Sequence, residues 1–174
     1  MPKKLPIVLL LFAGGALTAG CSKNSGSTAA YVDFVTGAAQ QNYAVTATNA
    51  TIVNNLYLLT IAATSTSGAN GNIIIDLAKS QSFATGDVFS NAYVGGTLTV
   101  QAQVEYVPDM TQSVEYVSLP LQDSISRVVV QLTSVTSNTI QGTFTATLVS
   151  RSDTTKVAST ITGGTFYTPF TPPQ

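Results

Sequence analysis

What most limits the folding options of this chain is a period-two alternation of apolar and polar residues that recurs between turn signals. It is cleanest at Ile140–Leu148, where Ile140, Gly142, Phe144, Ala146 and Leu148 fall on one face and Gln141, Thr143, Thr145 and Thr147 on the other. Successive side chains of extended backbone point to opposite faces, so such a run buries one face and wets the other. The pattern returns in Leu56–Ala63 (Tyr57, Leu59, Ile61, Ala63) and in Ile73–Leu77, with Asp76 outward. It returns again in Thr97–Val107 (Val100, Ala102, Val104, Tyr106) and in Val128, Val130 and Leu132. Tyr31–Val35 and Tyr43–Thr48 are expected as the first strands, and Val157–Phe166 as the last. Asn70-Gly71 and Gly95-Gly96 signal turns, and Gly163-Gly164 a bulge or bend. No stretch combines helical periodicity with caps over three turns. The expected fold is all-β: a single antiparallel β-sandwich or partly open barrel of about 8–9 strands.

Composition agrees. Serine and threonine make up about a quarter of the chain and charged residues 9%. The apolar fraction, 44%, is too high and too regularly spaced for disorder. The single cysteine, Cys21, excludes an internal disulfide, so packing must hold the domain together.

The N-terminus carries an address. Lys3 and Lys4 precede Leu5, Pro6 and the apolar run Ile7–Ala13, which gives way to small residues from Gly14 to Gly20. That run is too short to span a bilayer and no stop-transfer pattern follows, as in a cleaved signal peptide. Leu17-Thr18-Ala19-Gly20-Cys21 resembles the lipobox of bacterial lipoprotein precursors, departing from it at Thr18, where leucine is commonest. The resemblance implies cleavage before Cys21, a diacylglycerol on its sulfur and an acyl chain on its amine. Each buried methylene contributes about 0.8 kcal/mol, so two or three chains anchor stably where one does not. By the same resemblance, Ser22 lacks the aspartate that retains lipoproteins at the inner membrane, which implies the outer membrane. Ser22-Lys23-Asn24-Ser25 lacks the acidic tag of surface-exported Bacteroidota lipoproteins, which points to the periplasmic face.

The chain thus divides into a signal peptide (1–20), a lipidated cysteine with a flexible tether (21–30) and one β-domain (31–174). Without Lys3 and Lys4, five basic residues face eight acidic ones, a balance of −3 that gives a nucleic acid no basic stripe to grip. Ile140-Gln141-Gly142-Thr143-Phe144-Thr145 and Ile161-Thr162-Gly163-Gly164-Thr165-Phe166 resemble the closing hairpin of small Bacteroidota cell-envelope lipoproteins, whose biochemical role is unassigned. That resemblance implies a compact β-sandwich and no catalytic residue.

The sequence contains no histidine, which removes His-based triads and imidazole ligands. Lipid on Cys21 removes thiol chemistry, and no glycine-rich phosphate loop is present, so no cofactor is expected. The best acidic constellation is Glu105, Asp109 and Glu115. With Val104, Tyr106, Val114 and Tyr116 all inward, Glu105 is expected opposite Glu115, as a carboxylate dyad, a cation site or a solvated hairpin. A sugar platform would draw on Tyr93, Tyr106, Tyr116, Tyr167, Phe89 and Phe170, because the chain has no tryptophan. Asp123-Ser124-Ile125 and Asp153-Thr154-Thr155 resemble Bacteroidota O-glycosylation acceptors.

The expectation is a non-catalytic, lipid-anchored envelope protein that meets the membrane through Cys21. Its partner would be a glycan or another envelope protein. The alternatives are a carbohydrate- or ligand-binding module, marked by an exposed aromatic strip, and a pilin-like subunit, marked by an open hydrophobic groove that takes a neighbour's strand.

Overall fold

The alternation becomes strand along nearly the whole domain. The structure is a computed structural model that describes residues 29–67, 70–94, 97–118 and 125–173. The expected signal peptide, Cys21, the turn expected at Gly95-Gly96 and Asp123-Ser124 lie outside the described residues. Among the described residues there are no helices. The strands are β1 (Tyr31–Thr36), β2 (Ala39–Val53), β3 (Leu56–Ser65), β4 (Asn72–Lys79), β5 (Val88–Val94), β6 (Thr97–Val100), β7 (Ala102–Val107), β8 (Tyr116–Val117), β9 (Arg127–Val135), β10 (Thr139–Ser150) and β11 (Asp153–Pro169).

These eleven strands exceed the expected 8–9 because β5 answers to no expected strand, one expected run is broken and a short strand is added. The run Thr97–Val107 breaks at Gln101 into β6, paired with β5, and β7, paired with β4. The segment after Asp109 adds the two-residue β8. All strands pair antiparallel in one large sheet that is partly ring-like without being a closed barrel. Neighbours run β11-β1-β2-β3-β4-β7-β8-β10, and β10 pairs again with β11. The edge of β10 away from β11 is shared. Ile140–Thr147 pair with β9, which carries β5, whereas Val149 and Ser150 pair with β8. The ring therefore closes through a strand only two residues long.

The interior is filled from the faces that alternation selects. Leu59, Ile61, Ala63, Ile73, Ile75, Leu77, Val128, Val130, Leu132, Ile140, Phe144, Ala146 and Leu148 are all buried. Phe34 on β1 is fully buried, with ring centroids 5.3 Å from Tyr43 on β2, 5.4 Å from Tyr106 on β7 and 6.2 Å from Phe144 on β10. One ring thus ties strands from opposite sides of the sheet, and burying it contributes about 1.5–3 kcal/mol.

Two glycines make this packing possible. Gly142 on β10 faces Phe166 on β11, and two residues along, Phe144 faces Gly164. A Cβ on Gly142 would lie 2.6 Å from Phe166 Cε1 and 2.7 Å from the Gln131 carbonyl; one on Gly164 would lie 2.6 Å from Phe144 Cδ1. Each glycine is covered by the other strand's ring. Gly163 differs. Its φ is +58° and its added Cβ would meet nothing. It sits where pairing shifts register, from Asp33↔Thr165 to Val35↔Thr162, so the expected bulge is present. Gly71, expected in a tight turn, answers a close approach instead: a Cβ there would lie 2.5 Å from Tyr43 Oη and 2.7 Å from the Pro108 carbonyl.

The two kinds of glycine should separate on substitution. Gly142→Ala forces a methyl group against a ring and a carbonyl and should cost about 2–3 kcal/mol in denaturant unfolding. Gly163→Ala meets only backbone strain and should cost about 1 kcal/mol. Equal losses at the two positions would sink this account.

Candidate acidic site and surface groove

The three acidic residues expected to form a constellation do not act as one. Glu105, on β7, is opposite Val117 and not opposite Glu115, because Tyr106 pairs with Tyr116. Val117 is fully buried and Val114, expected inward, is 36% exposed. The expected register is therefore corrected: the dominant apolar anchor of the segment is Val117, which places Glu115 beyond the end of β8.

Glu105 and Glu115 are nevertheless brought together by Arg151, in the turn between β10 and β11. Arg151 Nη2 lies 2.6 Å from Glu115 Oε1 and 3.2 Å from Glu105 Oε1. The Arg151 amide also donates to the Glu115 carbonyl at 3.0 Å, so main chain and side chain hold the same partner. Gln103 Nε2 adds a bond to Glu105 Oε1 at 2.9 Å. The hydrogen bond and charge of Glu115, with Glu105 behind it, push the guanidinium pKa further up. The carboxylate pair has a cation, supplied by the chain itself. Arg151 lies 46 residues from Glu105 in a Ser-Arg-Ser-Asp turn with no periodic signal, so sequence reasoning missed it.

Asp109 does something else. Its Oδ1 accepts from the Thr111 amide at 2.9 Å and the Thr111 hydroxyl at 2.7 Å, while Gln112 Nε2 reaches Oδ2 at 3.2 Å. Asp153 repeats the motif with Thr155, at 3.0 and 2.6 Å. Both aspartates stabilise turns. Bonds from the threonine hydroxyl, then from the threonine amide, hold each carboxyl below its ordinary pKa of 3.8. Among the described residues, no three His, Cys, Asp or Glu side chains form a group able to hold a metal ion.

The aromatic candidates mostly face inward. Phe89, Tyr106 and Phe170 are core residues, which corrects their expected place on a sugar platform. Tyr116 packs partly buried against Tyr106, at 6.1 Å. Tyr167 is half-buried and stacks on Tyr31 across the β1–β11 ladder, at 6.3 Å and 23°. The side chain of Tyr93 lies outside the described residues.

A groove of about 570 Å³ opens where β1 begins. The Val45 amide donates to the Ala30 carbonyl at 3.2 Å, and beyond it β2 pairs with β3 alone among the described residues. Thr46, Thr48, Asn49, Asn138 and Thr168 line the opening, with Phe170 and Pro172 at its C-terminal wall. Thr48 and Thr168 hydrogen-bond through their hydroxyls across it. The walls are mixed, with Val45, Ala47, Ala50 and the C-terminal prolines standing beside these polar side chains. Comparisons with protein-family models, with curated proteins and with solved structures return no match to this chain.

Two outcomes check the electrostatics. Arg151→Gln leaves two carboxylates facing each other without their cation. It should lower the melting temperature at neutral pH and lose that effect in acid, where carboxylates are protonated; a pH-independent loss would show that packing, not charge, is at stake. For Asp109 and Asp153 the folded pKa lies below the unfolded one, so their stabilisation is present above about pH 4 and is lost as pH falls through the lowered values. Carboxyl-detected NMR should find both titrating below 3.8, with the Thr111 and Thr155 amides shifting in step.

Proposed function

We propose that this chain is a lipid-anchored protein of the bacterial envelope, held at the outer membrane through Cys21, whose β-domain has a structural or binding role rather than a catalytic one. The address rests on the lipobox-like Leu17–Cys21 after a charged and apolar leader. The observation that carries the role is Arg151 between Glu105 and Glu115: the best acidic pair is engaged in an internal ion-pair network. Asp109 and Asp153 are likewise committed to turns. Threonine, asparagine and glutamine are prominent among the exposed residues, suited to polar contact with a neighbouring envelope protein or a glycan. The periplasmic face is favoured because no acidic tag follows Cys21.

A second reading, carbohydrate binding, rests on the Tyr31–Tyr167 stack, two rings side by side on an outer face. Tyr167→Ala would abolish glycan retention on an affinity column if that reading holds.

Cell fractionation tests the first reading. Wild type should sediment with the outer membrane, resist protease added to intact cells and be released to the soluble fraction by Cys21→Ala. Retention of Cys21→Ala in the membrane would remove the lipid anchor from the account. Shaving of wild type by external protease would move the domain to the cell surface.

A further inference from the structure

Charge is distributed unevenly between the two ends of the sheet, and the register defines those ends. Tyr31 pairs with Ala44 and Tyr167, so Ala30, the β2–β3 turn, the end of β4, the β9–β10 turn and the C-terminal residues share one end. Glu105, Asp109, Glu115, Arg151, Asp153 and Lys156 cluster toward the other, around the β7–β8 and β10–β11 connections. At the Ala30 end Lys79 and Asp87 pair at 2.7 Å, and Asp33 and Asp76 stand within β1 and β4 between the two ends. No charged residue occurs between Asp33 and Asp76, so the whole β2–β3 hairpin is uncharged.

That hairpin ends in an apolar tip. Val53 pairs with Leu56 around Asn54-Asn55, whose φ values of 51° and 65° make the mirror-image turn that suits a two-residue connection. Ile52, Val53 and Leu56 are 37, 47 and 44% exposed. Met110, Val114 and Val157 are exposed beside the charged groups of the far end, and Val88, Ile125 and Val129 are exposed on or next to β5 and β9, none of them at a hairpin tip. Water gains nothing from three apolar side chains on one projecting turn, and contiguous exposed apolar groups mark contact sites.

We infer that the β2–β3 tip, through Ile52, Val53 and Leu56, dips into the lipid surface to which Cys21 anchors the chain. The inference rests on the lipid-anchor reading above. Reach supports it: β2 continues from Val45, beside Ala30, to Val53, a span of about 26 Å at strand rise. The nine links from Cys21 to Ala30 extend at most about 30 Å, so a bilayer holding the lipid lies within the tip's range. The uncharged hairpin then meets the membrane without a charge of its own to desolvate, and the charged end faces away. Two contacts, lipid and tip, fix the orientation of the domain where the lipid alone would leave it free to swing.

The test uses the full lipidated protein in vesicles of dioleoylphosphatidylethanolamine and phosphatidylglycerol, some acyl chains brominated. An environment-sensitive fluorophore is attached at Val53→Cys or, at the far end, Lys156→Cys; Cys21, thioether-linked to lipid, has no free thiol. The tip label should be quenched roughly fivefold more than the far label, and adding Ile52→Asp and Leu56→Asp should erase the difference, because interfacial binding scales with buried apolar area. Equal quenching at the two positions in protein that floats with the vesicles would overturn the tip contact and leave the anchor standing. Quenching that survives both aspartates would show the dye, not the tip, entering lipid, and would overturn it as well. Failure to float would remove the anchor, and the tip contact with it.

Discussion

Closure of the sheet depends on β10 and β11 approaching closely enough for each strand's phenylalanine to lie over the other's glycine. Gly142 beneath Phe166 and Gly164 beneath Phe144 form two reciprocal pairs along one ladder. A side chain at Gly142 would displace the ring of Phe166, and one at Gly164 would move Phe144 from its place beside Phe34. Through Phe34 the same displacement would reach Tyr43 and Tyr106 on the far strands. With no internal disulfide available, this aromatic interior carries the cohesion that a covalent staple supplies in smaller disulfide-bonded domains.

The ring is completed by little backbone. β8 contributes two residues, and its place beside β7 is strengthened by contacts around it. Val117 is buried, Ser118 Oγ accepts from the Val104 amide at 2.7 Å, and the Ser118 amide donates to the Val104 carbonyl at 2.9 Å. Arg151 adds an outer clasp, joining the β10–β11 turn to Glu105 on β7 and Glu115 before β8. The acidic cluster and the closure of the sheet are thus one feature. Carboxylates that look like a reactive pair along the chain serve, once folded, to hold the weakest seam.

The same strands explain what was legible and what was not. The inward faces of β3, β4, β7, β9 and β10 follow from alternation residue by residue, because each has one wet and one dry side. The β5–β6 hairpin, the break at Gln101 and the brief β8 did not follow, since short runs leave alternation too few residues to show. In β2, a bulge between Val45 and Ala47 resets the phase, so Tyr43 and Val45 face inward on one side of it and Thr48 and Ala50 on the other. Continuous alternation therefore ends midway, and the strand runs further than its pattern. The Asn54-Asn55 turn carried a usable signal, two residues tolerant of positive φ between strands.

By itself the sequence determined the class of fold, the composition of each buried face and the absence of histidine and internal disulfide chemistry. These are local properties: strand periodicity needs only neighbouring residues, and a missing residue type is missing from every conformation. The tertiary structure alone decided which strands meet, that Gly142 and Gly164 serve ring packing while Gly163 serves a bulge, and that Glu105 and Glu115 share Arg151. It also decided that charge gathers at one end and apolar side chains project from the other. Those outcomes depend on register, and register is set by the competition of all strands for one interior, which no single segment contains.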